Sequence, residues 1–140
     1  PGMGRTRGPD WIRCSDDMVD LILQLVDQLI PGERFLLVGE SYGGYLAQGI
    51  VHQRPDDVSG MLLIGPLVEP DYHKRDLPTG FSFRTLELEE SLEGEEDWLF
   101  DLYVTDQIER TWIRFRDEML AGFRAGDDAF KRKIREDPDA

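Results

Sequence analysis

A short apolar run that leads into a serine between two glycines constrains the fold of this chain more than any other feature. Residues 35–38 are Phe-Leu-Leu-Val, and residues 39–43 read Gly-Glu-Ser-Tyr-Gly. A second glycine, Gly44, follows, and residues 45–48 then have the composition of a helix, so the predicted order is strand, sharp turn and helix. We expect Ser41 at the tip of the turn, in a strained backbone conformation that exposes its hydroxyl.

The residues beside Ser41 have the character that such a turn requires. Gly39 and Gly43 are expected where a Cβ would collide with the adjacent turn of the chain. The backbone N–H of Tyr42 is expected to point to the position where a negatively charged oxygen forms when a hydroxyl attacks a carbonyl carbon. The alternative interpretation is a glycine-rich strand–helix turn without this chemistry, for example one that binds phosphate.

The apolar run, the Gly-x-Ser-x-Gly motif and the helix after it resemble the nucleophile elbow of the serine α/β hydrolases. The resemblance extends to residues 1–6, which are similar to the turn after that family's fourth strand, and to residues 54–64, which are similar to its sixth strand and the preceding helix end. It implies an α/β fold in which parallel strands and flanking helices surround the elbow. Residues 1–70 would form part of this core, and residues 71–140 would form part of the α-helical cap that follows it.

Hydrophobic periodicity predicts the elements around the elbow. An amphipathic helix is expected to begin with Ser15 as its N-cap and to end at Pro31, and the helix after the elbow is expected over about residues 43–52. Apolar strands are predicted at residues 34–38 and 58–64. Because a helix connects these two strands, we expect them to be parallel, and their continuous apolar character predicts burial on both faces of the sheet.

The region after residue 83 is highly charged and has helical periodicity. The resemblance implies that such a cap covers the active site, with apolar faces that line an acyl or aromatic pocket, although amphipathic stripes are more often packed core. Four predicted stripes are Leu86, Leu88 and Leu92; Trp98, Leu99, Leu102 and Tyr103; Ile108, Trp112, Phe115 and Met119, with Ile113 and Leu120 nearby; and Ala129, Phe130, Lys133 and Ile134.

A serine hydroxyl needs a general base within hydrogen-bond reach, and the base needs an acid that orients it. His52 lies on the same predicted helix as Ser41, about 16 Å away at about 1.5 Å per residue, which is too far to serve it. His73, in the loop after the second strand, is the remaining candidate base. The resemblance implies Glu69 or Asp71 as candidate acids, but it also implies a histidine from beyond the last strand of the fold.

The chemistry that the motif and the resemblance imply is hydrolysis at a carbonyl carbon. The expected substrate is a small ester, thioester, amide or related carbonyl compound with apolar or aromatic character, and neither a metal nor an organic cofactor is implied. Since the base and acid of Ser41 are not assigned within the chain, the alternative is a non-catalytic fragment or an interaction module built on a hydrolase-like scaffold.

Composition limits the partners and the location of the protein. The net charge of −13 argues against a nucleic-acid partner and against an anionic membrane surface. The single cysteine, Cys14, cannot form an internal disulfide, and this favours a reducing, cytoplasmic location. No apolar run approaches the roughly 18 residues of a membrane-spanning helix.

The chain of 140 residues is short for the fold that it resembles, because large α/β folds commonly need about 200 residues. We therefore expect a piece of a larger fold, with a core face and sheet edges that are uncovered. Exposed apolar edges pair readily with other strands, so we expect a complementary chain or a homo-oligomer. We also expect the 140-residue chain alone to be inactive.

Overall fold

The computed structural model describes residues 1–76, 85–87 and 95–136. These residues form two compact units. Residues 10–76 and 132–136 belong to one, called here the elbow unit, and residues 1–9, 85–87 and 95–131 belong to the other, called here the helical unit. The predicted boundary between a core and a cap near residue 70 stays a prediction.

The elbow unit contains two helices and two parallel strands in the predicted order. Helix α1 spans Ser15–Leu29, strand β1 spans Phe35–Glu40, helix α2 spans Tyr42–Gln53 and strand β2 spans Val58–Ile64. The strands pair in parallel along β1, with a register shift after its first residue. The parallel pair connected by a helix is therefore confirmed, and a short 3₁₀ turn at Tyr72–Lys74 follows β2.

The N-terminal cap of α1 lies one residue before the predicted position. Cys14 is the N-cap, and Ser15 is already the first helical residue. The side chain of Asp17 accepts hydrogen bonds from the backbone N–H groups of Arg13 and Cys14, at 2.7 and 3.3 Å. A carboxylate in the first turn that reaches back in this way holds the chain where it enters the helix, which a serine cap was expected to do.

The core of the elbow unit lies on one face of the strand pair. The buried residues are Val19, Leu23, Leu46 and Ile50, with Phe35, Leu37 and Val58 packed against them. The opposite face is open: Leu36 and Val38 are 74% and 66% exposed, and Leu62 and Ile64 beside them are exposed as well. The prediction of burial on both faces is wrong for the described residues, because α1 and α2 both pack on the same side of the sheet.

The helical unit contains short elements around an aromatic core. Strand β3 at Thr85–Leu86 pairs in parallel with β4 at Asp106–Gln107. The helices are α3 at Glu95–Tyr103, α4 at Glu109–Arg114, a π-helical turn at Phe115–Leu120, α5 at Ala121–Arg124 and the first part of α6, which spans Asp128–Glu136 and belongs to the elbow unit after residue 131. The predicted helix that included Leu86 is wrong at that residue, which lies in a strand. Leu88 and Leu92 lie outside the described residues.

The π-helical turn changes which side chains reach the core. Phe100, Trp112, Phe115 and Leu120 are buried together, and the rings of Phe100 and Trp112 meet edge to face at 5.5 Å between centroids. The predicted stripe continued from Phe115 to Met119, but Met119 is exposed. A π-turn adds one residue to a helical turn, so the side chain five positions after Phe115 takes the place of the one four positions after it.

The first residues of the chain form the turn that the sequence indicates. The N–H of Gly2 donates to the carbonyl of Thr6 at 3.0 Å. The loop is joined to the start of α6, since the Asp127 N–H donates to the Gly2 carbonyl at 2.9 Å and the Gly8 N–H donates to the Asp127 carboxylate. The ring of Phe130 occupies the space where a Cβ on Gly2 or Gly8 would lie, so both glycines are required for this packing.

Candidate active site

Ser41 lies between β1 and α2 in the strained conformation that the motif predicts. Its backbone angles are φ 49° and ψ −118°. Within the described ranges, every other residue with positive φ is a glycine. Although Ser41 occupies the N-cap position of α2, its side chain makes no capping hydrogen bond to that helix, and the residue is exposed. The hydroxyl is therefore presented to solvent at the carboxyl end of the strand pair.

Backbone hydrogen bonds hold Ser41 in this conformation. Its N–H donates to the carbonyl of Ile64, at the end of β2, at 3.1 Å. Its carbonyl accepts from three N–H groups, those of Gly44, Tyr45 and Leu67, at 3.0, 3.3 and 2.8 Å. The contact from Leu67 shows that the loop after β2 passes directly beside the elbow. Such a saturated backbone can maintain a residue in a sparsely populated region of φ and ψ.

The two glycines of the motif have different surroundings. A Cβ on Gly39 would lie 2.7 Å from the carbonyl carbon of Gly43 and closer still to its oxygen, so the predicted collision is confirmed there. The same prediction is wrong for Gly43, where nothing lies within 4 Å of the position of a Cβ. Gly44 is restricted instead, because its Cβ would lie 2.7 Å from the Cβ of Pro66 in the loop after β2.

Tyr42 follows Ser41 and is the first residue of α2. The N–H groups in the first turn of a helix have no acceptor within the helix, so the Tyr42 N–H is available to a ligand. Its side chain shares a hydrogen bond of 3.0 Å with the hydroxyl of Ser15, and its ring stacks on Tyr45 with 6.3 Å between centroids. Burial raises the pKa of Tyr42 above its ordinary value. The sequence did not predict Ser15 as the hydrogen-bond partner of Tyr42, since no local pattern relates residues 27 positions apart.

The candidate acids lie in the loop that passes Ser41. Glu69 accepts a hydrogen bond from the backbone N–H of Asp71 at 2.9 Å, and Asp71 accepts one from the N–H of His73 at 3.0 Å. Asp71 also pairs with Lys74 at 3.2 Å. The bond from His73 and the contact with Lys74 lower the pKa of Asp71 below its ordinary value. Both carboxylates thus support their own loop, and their role toward Ser41 stays a prediction.

Neither histidine is enclosed by the described structure. His52 lies in the last turn of α2, at the end of the helix opposite to Ser41, and it is exposed. This position agrees with the expectation that His52 is too far along the helix to serve as the base. His73 is exposed within the 3₁₀ turn after β2. Its assignment as the base stays a prediction.

Comparison with known proteins identifies the family. The sequence pattern of the family described as "Serine aminopeptidase, S33" (Hydrolase_4) matches residues 1–131. The chain belongs to this family. The predicted relationship to the α/β hydrolases is thereby confirmed.

A solved structure gives the same result for the fold of this Hydrolase_4 member. The chain is 26% identical to an alpha/beta superfamily hydrolase from Oenococcus oeni PSU-1, with a TM-score of 0.74. The match covers 99% of this chain and 51% of the other, so the chain spans about half the length of that hydrolase. The predicted fold class, a partial α/β-hydrolase fold, is confirmed. No curated protein sequence matches the chain.

The helical unit of this Hydrolase_4 chain carries an open pocket of about 180 Å³. Apolar side chains supply half of its lining, and an ion pair between Arg114 and Glu118, with 3.2 Å between nitrogen and oxygen, lies beside them. The lining residues are Val104, Thr111, Arg114, Phe115, Glu118 and Met119. The π-helical turn therefore forms part of the pocket wall, and its irregular geometry places Met119 there instead of in the core.

Within residues 1–76, 85–87 and 95–136, no group of three or more His, Cys, Asp or Glu side chains is arranged to hold a metal ion. In the same part of the chain, none of the helices is both long enough and apolar enough to pass through a lipid bilayer.

Proposed function

We propose that the protein containing this chain is a serine hydrolase in which Ser41 is the nucleophile. The observation that carries the proposal is the backbone of Ser41, which is held at positive φ by four hydrogen bonds while its hydroxyl caps nothing. Strain of this kind is concentrated at functional sites, because only a constraint on side-chain position justifies its energetic cost. Membership of the Hydrolase_4 family supports the same conclusion.

In the proposed reaction, Ser41 Oγ attacks the carbonyl carbon of the substrate while a general base removes the hydroxyl proton. The new C–O bond moves the carbonyl electron pair onto oxygen, and the Tyr42 N–H donates to that oxyanion. The positive end of the α2 dipole favours the same negative charge. As the intermediate collapses, the protonated base gives its proton to the leaving group, and an acyl ester remains on Ser41. Water then attacks this ester while the base takes its proton, and the acid product and the free Ser41 hydroxyl are released.

Ser41 needs a general base and an acid that orients the base. His73 remains the candidate base within the chain, and Glu69 or Asp71 remains the candidate acid. A His73→Gln substitution in the intact protein tests this assignment, because loss of the base lowers kcat by at least about a hundredfold. An unchanged kcat would exclude His73 as the base and would favour a histidine outside these 140 residues, as the family resemblance implies.

The proposed substrate is an ester, thioester, amide or related carbonyl compound with an apolar or aromatic group. The aminopeptidase description of the family supports an amide among these. We also propose that the uncovered sheet face, formed by Leu36, Val38, Leu62 and Ile64, is covered by a segment that carries the other strands and helices of the fold. Its support is the match to only half of the related hydrolase.

A cytoplasmic location stays a prediction.

A fluorophosphonate probe tests the nucleophile directly, since Ser41 Oγ would attack phosphorus and release fluoride. The intact protein is expected to gain the mass of one probe less that of HF, because the serine proton and the fluoride both leave, and peptide mapping is expected to find the adduct on Ser41. Ser41→Ala should remove the adduct and lower kcat by at least about a thousandfold. Full activity in Ser41→Ala would overturn the proposal and would favour the alternative, a non-catalytic interaction module on a hydrolase scaffold.

A further inference from the structure

A side-chain hydrogen bond connects the beginnings of the two helices of the elbow unit. Ser15 Oγ and Tyr42 Oη are 3.0 Å apart. Ser15 is the first residue of α1, and Tyr42 is the first residue of α2. The bond therefore joins the N-terminal end of α1 to the residue that directly follows Ser41.

The start of α2 lacks the side-chain cap that a serine normally provides. A serine at the N-cap usually accepts a hydrogen bond from an N–H of the first turn. At φ 49° and ψ −118°, Ser41 makes no such bond, so its hydroxyl stays available to a substrate. The first turn of α2 must then be held by other contacts, and the described structure offers one from the side chain of Tyr42 itself.

The environment of the Tyr42 ring suits such a contact. The ring stacks on Tyr45 one turn further along α2, with 19° between the two planes. The Tyr42 hydroxyl keeps its proton at neutral pH, as an ordinary phenol does, and can act as both donor and acceptor; partial burial of the side chain raises its pKa further. The phenol is therefore fixed at both ends: by the ring stack on α2 and by the hydroxyl contact to α1.

We propose that the Ser15–Tyr42 hydrogen bond positions the Tyr42 N–H for the oxyanion of the transition state. This inference rests on the proposed function of Ser41. The side chain and the N–H of Tyr42 are attached to the same Cα, so a shift of the ring moves the donor. Displacements of a fraction of an ångström weaken oxyanion stabilisation, because the donor must lie at hydrogen-bond distance from the developing charge. Ser15 and the Tyr42 side chain are thus positioning residues.

A double-mutant cycle in the intact protein tests the inference. Tyr42→Phe, Ser15→Ala and the double variant are assayed on a p-nitrophenyl ester, and fluorophosphonate labelling rates are measured in parallel. Each single substitution is expected to lower kcat about threefold to tenfold with little change in KM, since one neutral hydrogen bond is lost. The double variant should be no slower than the slower single variant, and Ser15→Thr, which keeps the hydroxyl, should restore kcat.

Matched controls separate positioning from general loss of stability. Ser59→Ala removes the hydroxyl of an exposed serine near the start of β2, at the opposite end of that strand from the contact with Ser41, and Tyr103→Phe removes the hydroxyl of an exposed tyrosine of the helical unit. Both variants should keep the wild-type kcat. All variants are assayed at least 15 °C below their melting temperatures. A merely structural bond would lower Tm and leave kcat of the folded protein unchanged, and this result would overturn the inference.

Additive losses in the double variant would also overturn it, because independent effects exclude a shared hydrogen bond. The outcome for Ser41 is separate. If Ser41→Ala is inactive while Tyr42→Phe and Ser15→Ala keep full kcat, the positioning role is wrong and the serine hydrolase proposal stands. If Ser41→Ala is fully active, the proposed function is wrong, and the inference about Ser15 and Tyr42 is overturned with it.

Discussion

The two glycines that flank Ser41 make different demands on side-chain size. A Cβ on Gly39 would overlap the backbone of Gly43, which cannot move without shifting the elbow, whereas a Cβ on Gly43 meets open space. We expect Gly39→Ala to lower the free energy of unfolding by about 1–3 kcal/mol or more, the usual cost of overpacking. Gly43→Ala should leave it unchanged or raise it by up to about 1 kcal/mol, because alanine favours a helix over glycine.

Urea denaturation of the intact protein, monitored by circular dichroism, measures both changes. The two substitutions add the same methyl group four positions apart, so each is the control for the other. An equal destabilisation by Gly39→Ala and Gly43→Ala would contradict the difference in their surroundings.

The raised pKa of Tyr42 gives an expected dependence of stability on alkaline pH. Because burial favours the neutral phenol, the folded state binds this proton more tightly than the unfolded state, where the pKa is close to the ordinary 10.0. The contribution to stability is therefore fully present below pH 10 and is lost as the pH rises through the folded-state pKa. As the pH rises above 10, the free energy of unfolding should fall less in the Tyr42→Phe variant than in the wild type.

Absorbance at 295 nm measures this ionisation directly. The difference between the titrations of the wild type and Tyr42→Phe should show a midpoint above pH 10. A midpoint at or below pH 10 would mean that the ring is not shielded from water in solution.

At the scale of elements, the aromatic residues of α3 divide by the side of the helix on which they lie. Phe100 is buried against Trp112 and Phe115, while Trp98, two residues earlier, is 55% exposed. We expect Phe100→Ala to lower the free energy of unfolding of the intact protein by about 3–5 kcal/mol, as for other large-to-small changes in a core. Trp98→Ala is the matched control and should change it by less than about 1 kcal/mol. Similar losses at both positions would contradict the described packing.

Local patterns predicted the elements that depend on local physics. The apolar runs predicted β1 and β2, and the glycine spacing predicted the strained turn at Ser41. Met119 and Leu120 were both predicted on or beside the apolar face of their helix. That Leu120 and not Met119 lies in the core was not predictable, because an added residue in a π-turn leaves no trace in a 3.6-residue periodicity. The contacts of Ser41 with Leu67 and of Ser15 with Tyr42 were missed for another reason. They depend on how separate elements pack, and no spacing along the chain encodes that.

At the scale of the whole molecule, the open face of the strand pair is the feature by which the 140-residue chain is expected to differ from the complete fold. Parallel sheets are normally covered on both faces, but Leu36, Val38, Leu62 and Ile64 are exposed here. A purified polypeptide of these 140 residues is therefore expected to bind a hydrophobic dye and to self-associate. It should also fail to hydrolyse an activated ester. The intact protein is expected to show neither the dye binding nor the association, if the proposed complementary segment covers the face.

Leu36→Lys makes this prediction specific to the sheet face. In the 140-residue polypeptide, the lysine is expected to reduce self-association without loss of folded structure, since position 36 is exposed there. In the intact protein, the same lysine would be buried beneath the complementary segment and should lower the free energy of unfolding by about 2 kcal/mol or more. Leu29→Lys, at the exposed end of α1, is the control and should change neither property strongly. Equal stability of wild type and Leu36→Lys in the intact protein would mean that this face stays open to solvent.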